Sequence, residues 1–269
     1  MTSKQYLGRE YRVKTLKFLV RTGYATTRQI AKAVWGSCEV SDRKMAGRTI
    51  RRLRTLGYLV SKRDGNCVAG EQMVALTRAG VAALAEFVQL PDGRAHARDW
   101  LRHAHSHRTA CNSVYAALVR GLAEDVGFTE LEIRAGSAPA QLSMLPFQDG
   151  DGCHQQKIPD LLLHGASGPI WVEVENSWRG AKDFDKLVHF LRCIFGRSAP
   201  LVDKVWFVIA AQGAKTIGRR LHAALTHPVS SGYPRQVREL DAKILRDRIA
   251  VFHLDQALLT LTPVDLAGP

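Results

Sequence analysis

This chain of 269 residues lacks the features that mark membrane-spanning, exported and disulfide-bonded proteins. No apolar run approaches the roughly 20 residues that cross a bilayer, and the first ten residues contain no apolar signal-peptide core. The five cysteines are odd in number and widely scattered, without a C-x-x-C pair, so neither a disulfide framework nor a zinc site is indicated. Because unpaired cysteines suit a reducing compartment, these absences predict a cytoplasmic protein with no membrane partner.

Several catalytic motifs are missing as well. The chain has no Gly-rich phosphate loop of the Walker type and no serine nucleophile elbow, which argues against an ATPase and an α/β-hydrolase. His103, His105 and His107 alternate, but alternate residues of a helix diverge by about 200°, so the three cannot converge on one metal. A structural role for these histidines is therefore favoured.

The positive charge of the chain is concentrated in its first quarter. The net charge is +13, and residues 1–65 contain 16 lysines and arginines against 4 aspartates and glutamates. The other residues are nearly neutral, with 22 basic and 21 acidic side chains. This asymmetry indicates that the N-terminal part meets a polyanion, with a solvated basic face as the alternative.

Three helices are predicted in this basic segment. The first covers residues 10–21, the second residues 26–36 and the third residues 41–56, each with apolar side chains at helical spacing. Gly23 and Gly57 follow the first and the third helix, at the position where a helix ends most readily on glycine. The three predicted helices follow one another with short connections.

The third predicted helix has one apolar and one basic face when it is projected at 100° per residue. The apolar arc contains Met45, Ala46, Thr49, Ile50, Leu53 and Leu56. The opposite arc contains the cations Arg43, Lys44, Arg48, Arg51, Arg52 and Arg54. One face can pack on the first two helices while the other lies in the major groove of double-stranded DNA, where arginines reach guanine edges or phosphates.

Two extended runs around Asp64-Gly65 complete the pattern of a winged helix-turn-helix. The Asp-Gly pair is a strong hairpin signal, and Lys62 and Arg63 stand beside it, where a wing touches backbone phosphate. Residues 9–87 resemble the winged helices of many DNA-binding regulators, which implies that double-stranded DNA is the partner; a winged helix that contacts protein is the alternative. Because winged helices often read paired half-sites, a homodimer is also expected, although no coiled-coil heptad supports one.

The sequence predicts a boundary at residues 90–94, whose Leu-Pro-Asp-Gly-Arg run is typical of a turn-rich linker. This boundary separates a DNA-binding domain at 1–90 from a mixed domain at 98–269, and the fold class is α+β or α/β. The predicted elements of the second domain are helices at 98–125, 179–196 and 215–225 and strands at 129–135, 157–164, 169–176, 204–211 and 249–254.

Three carboxylates mark two of these strands. Asp160 follows Pro159, and Glu173 and Glu175 alternate with valines on the next strand, so that both point to one face. Mg²⁺ or Mn²⁺ held by the three carboxylates would neutralise them and could activate water for phosphoryl chemistry. The alternative is the solvent-facing side of an edge strand, with Trp171 packed beside charges that need no metal.

The pair Pro159-Asp160, a spacer and Glu173-Val174-Glu175 resemble the PD-(D/E)xK nuclease superfamily over residues 98–211. The resemblance implies an αβββαβ fold and a metal-dependent endonuclease site. Glu175 occupies the position where that family usually has its lysine, and in some relatives the lysine lies on the following helix. Lys182 and Lys186 are the catalytic candidates there, although both lie opposite the apolar face of that helix.

Over most of its length the chain is similar to the replication-relaxation proteins of plasmids and integrative elements. The similarity rests on the winged helix, a His-bearing helix from His107-Arg108 to Leu118, the Pro-Asp pair, the Glu-x-Glu strand and a downstream lysine. It implies a role in the replication, mobilisation or transcriptional control of mobile DNA.

Three functions follow from these patterns. The first is a DNA-binding protein of a mobile element whose nuclease-like domain does not cut. The second is an active endonuclease that depends on Mg²⁺ or Mn²⁺, and the third is a transcriptional regulator whose second domain senses a ligand or dimerises. The carboxylates favour the first two functions over the third, and Glu175 at the lysine position favours the first over the second.

Overall fold

The computed structural model describes residues 3–63, 71–88, 98–119, 125–176, 180–210, 216, 218–220, 222–223 and 235–265. These residues form a mixed α and β structure, which confirms the predicted class at that level. The chain divides into two compact units, Met1–Ser137 with Asp255–Thr260 and Ala138–Leu254 with Leu261–Pro269. The domain boundaries drawn from the sequence stay a prediction. Within the described ranges, no helix combines enough length with enough apolar character to span a bilayer.

The first unit begins with the three helices that the sequence predicts. Its elements are α1 (Ser3–Thr22), β1 (Ala25–Thr26), α2 (Thr27–Trp35), α3 (Val40–Thr55), β2 (Leu59–Arg63), β3 (Gln72–Leu76), α4 (Arg78–Ala85), α5 (Arg98–Arg102), α6 (Ser106–Leu118), β4 (Gly127–Thr129) and α7 (Glu130–Arg134). Helix α1 begins earlier than predicted and ends at Gly23, which has a φ of +78°. The Trp100 ring lies 2.3 Å from where a Cβ of residue 23 would stand, so glycine is required there.

Strand β1, between α1 and α2, and strands β2 and β3, after α3, form a three-stranded antiparallel sheet in the order β1-β3-β2. Met73 and Ala75 of β3 pack with Tyr24 and Leu101, so α5 covers one face of the sheet. The intervening residues of β3 are also buried on the opposite face. The predicted turn Asp64-Gly65 lies outside the described residues, but β2 and β3 pair on either side of it.

Two predictions for the segment after residue 98 are wrong. The helix expected at 98–125 is divided into α5 and α6, because the His105 backbone is extended and its ring Nδ1 accepts a hydrogen bond from the amide of Arg108. The strand expected at 129–135 is a strand only up to Thr129 and then becomes α7. The reason is a capping box: the Thr129 hydroxyl and the Glu132 carboxylate each bond the other's backbone amide.

The second unit is built around parallel and antiparallel strands. The elements after residue 138 are α8 (Ala140–Ser143), β5 (Leu145–Gln148), β6 (His154–Lys157), β7 (Leu161–Gly165), β8 (Gly168–Glu175), α9 (Ala181–Phe195), β9 (Lys204–Ile209), α10 (Arg235–Arg248), β10 (Ile249–Asp255) and β11 (Thr260–Pro263). Strands β11-β10-β9-β8-β7 are neighbours in that order, with β7–β8 antiparallel and β8–β9 and β9–β10 parallel. Strands β5 and β6 form a separate hairpin.

Some of these elements are not predicted from the sequence, and others are predicted at different residues. The predicted strand at 157–164 is the end of β6 followed by β7, and neither β5 nor α10 is predicted. Most of the helix expected at 215–225 lies outside the described residues, although residues 218–220 are helical. By contrast, the strand expected at 169–176 and the helix expected at 179–196 match β8 and α9 to within two residues.

Helix α9 lies over the face of β8 that carries the two glutamates. The apolar stripe expected on this helix, Phe184, Leu187, Leu191 and Phe195, is buried as predicted. The Phe190 ring packs on Trp171 of β8 with centroids 5.1 Å apart. Because Trp171 alternates with Val172, it shares its face of the strand with Glu173 and Glu175, and α9 covers that face.

Candidate nucleic-acid surface and buried carboxylate cluster

Helix α3 is amphipathic in the structure, but its apolar face is narrower than the sequence predicts. Ala46, Ile50 and Leu53 are buried. Met45 and Leu56, which the helical projection placed among the core residues, have more than a third of their surfaces exposed. Both lie at the edge of the apolar arc, beyond the reach of the helices that α3 packs against.

The opposite face of α3 presents cations that no carboxylate of the described residues neutralises. Lys44, Arg48, Arg51, Arg52 and Arg54 are exposed, whereas Arg43 is half-buried. In the part of the chain that the structure describes, none of the five exposed cations forms an ion pair, and Arg48 contacts only the Met45 sulfur. A row of unneutralised cations attracts a polyanion far more strongly than the paired cations of an ordinary surface do.

Three arginines elsewhere in the first unit are paired with carboxylates. Arg21 donates to Glu132 at 2.9 Å, Arg28 to Glu71 at 3.0 Å and Arg108 to Glu130 at 3.3 Å. These arginines connect distant parts of the chain and have a structural role. The cations of α3 differ from them because they lie outside such networks.

A groove of about 810 Å³ lies between α3, β2 and α5. Its charged lining comes from all three elements: Arg51 and Arg54 of α3, Lys62 of β2 and Arg102 of α5. The Lys62 ammonium lies 3.4 Å from the carbonyl oxygen of Arg102, which holds β2 and α5 together at the groove. Arg63, the last residue of β2, is exposed. The eight predicted DNA contacts therefore lie on α3 and β2, and the two elements border one groove.

Arg102 is a member of this groove that the sequence did not reveal. It is placed there because Leu101 and Trp100 of the same short helix pack on the three-stranded sheet. The Arg108 guanidinium lies 3.6 Å from the centroid of the Trp100 ring and fixes α5 from the other side. Nothing in the local sequence indicates this packing, because it depends on a sheet formed some thirty residues earlier.

The glutamates of β8 are buried, which excludes the alternative of a solvent-facing edge strand. Strand β8 lies between β7 and β9, and Glu173 and Glu175 are only 2% and 5% exposed. The Lys157 ammonium lies 2.7 Å from Glu173 Oε2, and the Trp171 indole N–H donates to Glu173 Oε1 at 2.5 Å. One carboxylate thus has a cation on one oxygen and a hydrogen-bond donor on the other.

Asp160 belongs to the same cluster. Its Oδ2 accepts a hydrogen bond of 2.7 Å from the amide of Val174 on β8. Burial raises the pKa of Glu173; the Lys157 ammonium opposes this effect and the nearby Asp160 adds to it. Lys157 stands three residues before Asp160, and no pattern in the sequence indicates its contact with Glu173.

These residues do not fit a hydrated divalent cation as they are arranged. Mg²⁺ usually keeps several of its waters, yet Glu175 lines a cavity of only about 10 Å³ among side chains such as Phe184, Leu187 and Phe207. Both Glu173 oxygens are already engaged, and the Lys157 ammonium would repel a metal ion at that position.

The two lysines proposed for catalysis on α9 lie on its outer side. Lys182 is exposed, and Lys186 is half-buried and acts electrostatically on Asp149, which follows β5. The apolar stripe of α9 faces the sheet instead. The ammonium beside Glu173 is therefore that of Lys157 rather than of either predicted lysine.

One of the alternating histidines, His105, has the structural role that the sequence favours. His105 is the N-cap of α6, and burial, with Arg108 nearby, lowers its pKa, so the neutral ring that accepts the capping bond is favoured. His107 Nε2 lies 3.7 Å from the sulfur of Cys111, one turn further along α6.

Comparison with models of known protein families finds no match for this chain, and comparisons with curated proteins and with solved structures find none either. The resemblances to winged-helix regulators, to PD-(D/E)xK nucleases and to replication-relaxation proteins therefore stay predictions. The function has to be argued from the basic groove and from the buried carboxylates.

Proposed function

We propose that the first unit is a winged helix-turn-helix that binds double-stranded DNA. In this proposal α3 enters the major groove and the β2–β3 pair is the wing. The observation that carries the proposal is the groove lined by Arg51, Arg54, Lys62 and Arg102, whose four cations come from three separate elements. Cations from α3 and from the wing border one surface, as this mode of binding requires.

The dimensions and charges of α3 support DNA over an acidic protein as the partner. Its 16 residues span about 24 Å, and a major groove about 12 Å wide admits one α-helix. Five exposed cations along this length can meet phosphates on both sides of the groove while arginines reach base edges. An acidic protein would have to present carboxylates at a comparable density along one straight groove.

For the second unit we propose a nuclease-like sheet that does not cut DNA. The support is the Lys157 ammonium on Glu173, together with the apolar side chains that line the small cavity beside Glu175. The whole chain is then a DNA-binding protein of a mobile element that acts in replication, mobilisation or transcriptional control. An endonuclease dependent on Mg²⁺ or Mn²⁺ is the competing function that the experiment below separates.

The DNA-binding proposal is tested by the salt dependence of binding to mixed-sequence duplex. With about six phosphate contacts, affinity should fall about a thousandfold between 50 and 200 mM salt. The double variant Arg48→Ala/Arg51→Ala should lose most of this affinity, because both side chains are exposed on α3. The matched control is Lys243→Ala/Arg246→Ala, which removes two exposed cations from α10 and should leave binding unchanged. Equal losses in the two double variants would refute α3 as the DNA-binding element.

The nuclease question needs a separate assay. Supercoiled plasmid incubated with the wild-type chain and Mg²⁺ or Mn²⁺ should remain supercoiled. Nicking that disappears in both Asp160→Ala and Glu173→Ala would establish the endonuclease instead. Nicking that persists in these variants would come from a contaminant and would leave the proposal standing.

A further inference from the structure

Helix α3 exposes apolar side chains beside its cations. Val40 is 57% exposed and Met45 is 37% exposed, both in the N-terminal half of the helix. Single exposed apolar residues are common on protein surfaces and need no explanation by themselves. Met45 is different because its sulfur lies 3.9 Å from Arg48 Nη1, so a thioether and a guanidinium are held side by side.

The two side chains share one stripe of the helix. Residues three apart on a helix are surface neighbours, and Arg52 continues the stripe one turn after Arg48. The separation of 3.9 Å between the Met45 sulfur and the Arg48 nitrogen is close to the 3.4 Å between successive base pairs. The tips of these two side chains can therefore reach neighbouring base pairs.

The chemistry of the two tips matches two different base edges. A guanidinium recognises O6 and N7 of guanine, and an apolar group contacts the C5-methyl group of thymine. These two contacts are available only in the major groove, because the minor groove displays neither the methyl group nor that pair of acceptors.

We propose that Met45 and Arg48 read a thymine adjacent to a guanine, with Met45 on the thymine methyl group. The inference rests on the proposed binding of DNA by α3, and it adds the sequence element that this helix selects. Met45 is not one of the buried side chains of α3, which are Ala46, Ile50 and Leu53.

The experiment begins with the full-length chain and selection of duplexes from a random pool. In the selected site each thymine is then replaced singly by uracil, which removes only the methyl group. One of these replacements, next to a guanine, should weaken wild-type binding about fourfold, the effect of one buried methyl. In Met45→Ala the same replacement should have no effect. The control is Leu56→Ala, which truncates another exposed apolar residue just beyond the end of α3 and should retain the discrimination.

The outcomes separate this inference from the function on which it rests. If the chain shows no salt-dependent DNA binding, the proposed function and the inference both fail. If it binds DNA but every uracil is tolerated, the proposed function stands and the Met45 contact is wrong. If Met45→Ala still discriminates thymine from uracil, another side chain reads the methyl group and the inference is equally wrong.

Discussion

The substitution Lys157→Met tests whether Glu173 depends on an internal cation. It removes the ammonium 2.7 Å from Glu173 Oε2 and keeps a side chain of similar length. The carboxylate would retain the Trp171 N–H but would still face the nearby Asp160. Removal of one partner from a buried ion pair costs 3–5 kcal/mol. Because the Lys157 side chain is 20% exposed and partly screened, we expect a loss of about 3 kcal/mol in the free energy of unfolding near pH 8.

The loss of stability in Lys157→Met should depend on pH, and the burial of Glu173 sets the direction of that dependence. The pKa of Glu173 is raised in the folded chain, chiefly by burial, although Lys157 opposes the shift. The substitution removes that opposing charge and therefore raises the pKa further. A raised carboxyl pKa contributes stability that is fully present below the unfolded value of about 4.3 and is lost as the pH rises through the folded value. The Lys157→Met variant should therefore be closest to the wild type near pH 5 and furthest from it near pH 8.

The assay is urea denaturation of four proteins at pH 5 and pH 8: the wild type, Lys157→Met, Glu173→Gln and the double variant. The double variant should lie within about 1.5 kcal/mol of the wild type, because a neutral pair leaves no uncompensated charge. The control is Arg246→Met, which breaks an exposed ion pair with Asp247 and should change stability by less than about 1 kcal/mol. An unchanged urea midpoint for Lys157→Met at pH 8, or an equal loss at both pH values, would refute the reasoning.

Two further predictions concern the first unit. The variant His105→Ala should lose about 1 kcal/mol of stability at pH 7.5 because α6 loses its N-cap, whereas His105→Asn keeps an acceptor there. Since the pKa of His105 is lowered in the fold, the wild type should lose this stability as the pH falls below about 6.5, and thermal melts of His105→Asn should show a weaker dependence on pH. For DNA binding, Lys62→Ala and Arg102→Ala should each reduce the slope of log K against log salt by about 1. An unchanged slope for Arg102→Ala would show that α5 is not part of the proposed DNA-binding surface.

Features that depend on one element could be predicted from the sequence. The basic and apolar faces of α3 follow from periodicity alone, and so does the buried stripe of α9. Strand β8 was found because valines alternate with glutamates over its length. The capping box at Thr129 and Glu132 was also legible as T-x-x-E, but the surrounding apolar residues read equally well as a strand.

Features that depend on the meeting of two elements could not be predicted. Lys157 reaches Glu173 because β6 ends in a hairpin whose register with β5 no local pattern fixes. Arg102 lines the basic groove because α5 packs on a sheet formed earlier in the chain.

The charged side chains of the two units have different environments, and this difference bears on function. In the first unit, the exposed cations of α3 have no carboxylate partner among the described residues, so their attraction for a polyanion is fully available. In the second unit, the buried carboxylate Glu173 has a lysine ammonium on one oxygen and an indole donor on the other. Because the residues after 65 are also nearly neutral overall, the salt dependence of DNA binding should come almost entirely from the first unit. The double-variant series measures how strongly Lys157 stabilises Glu173.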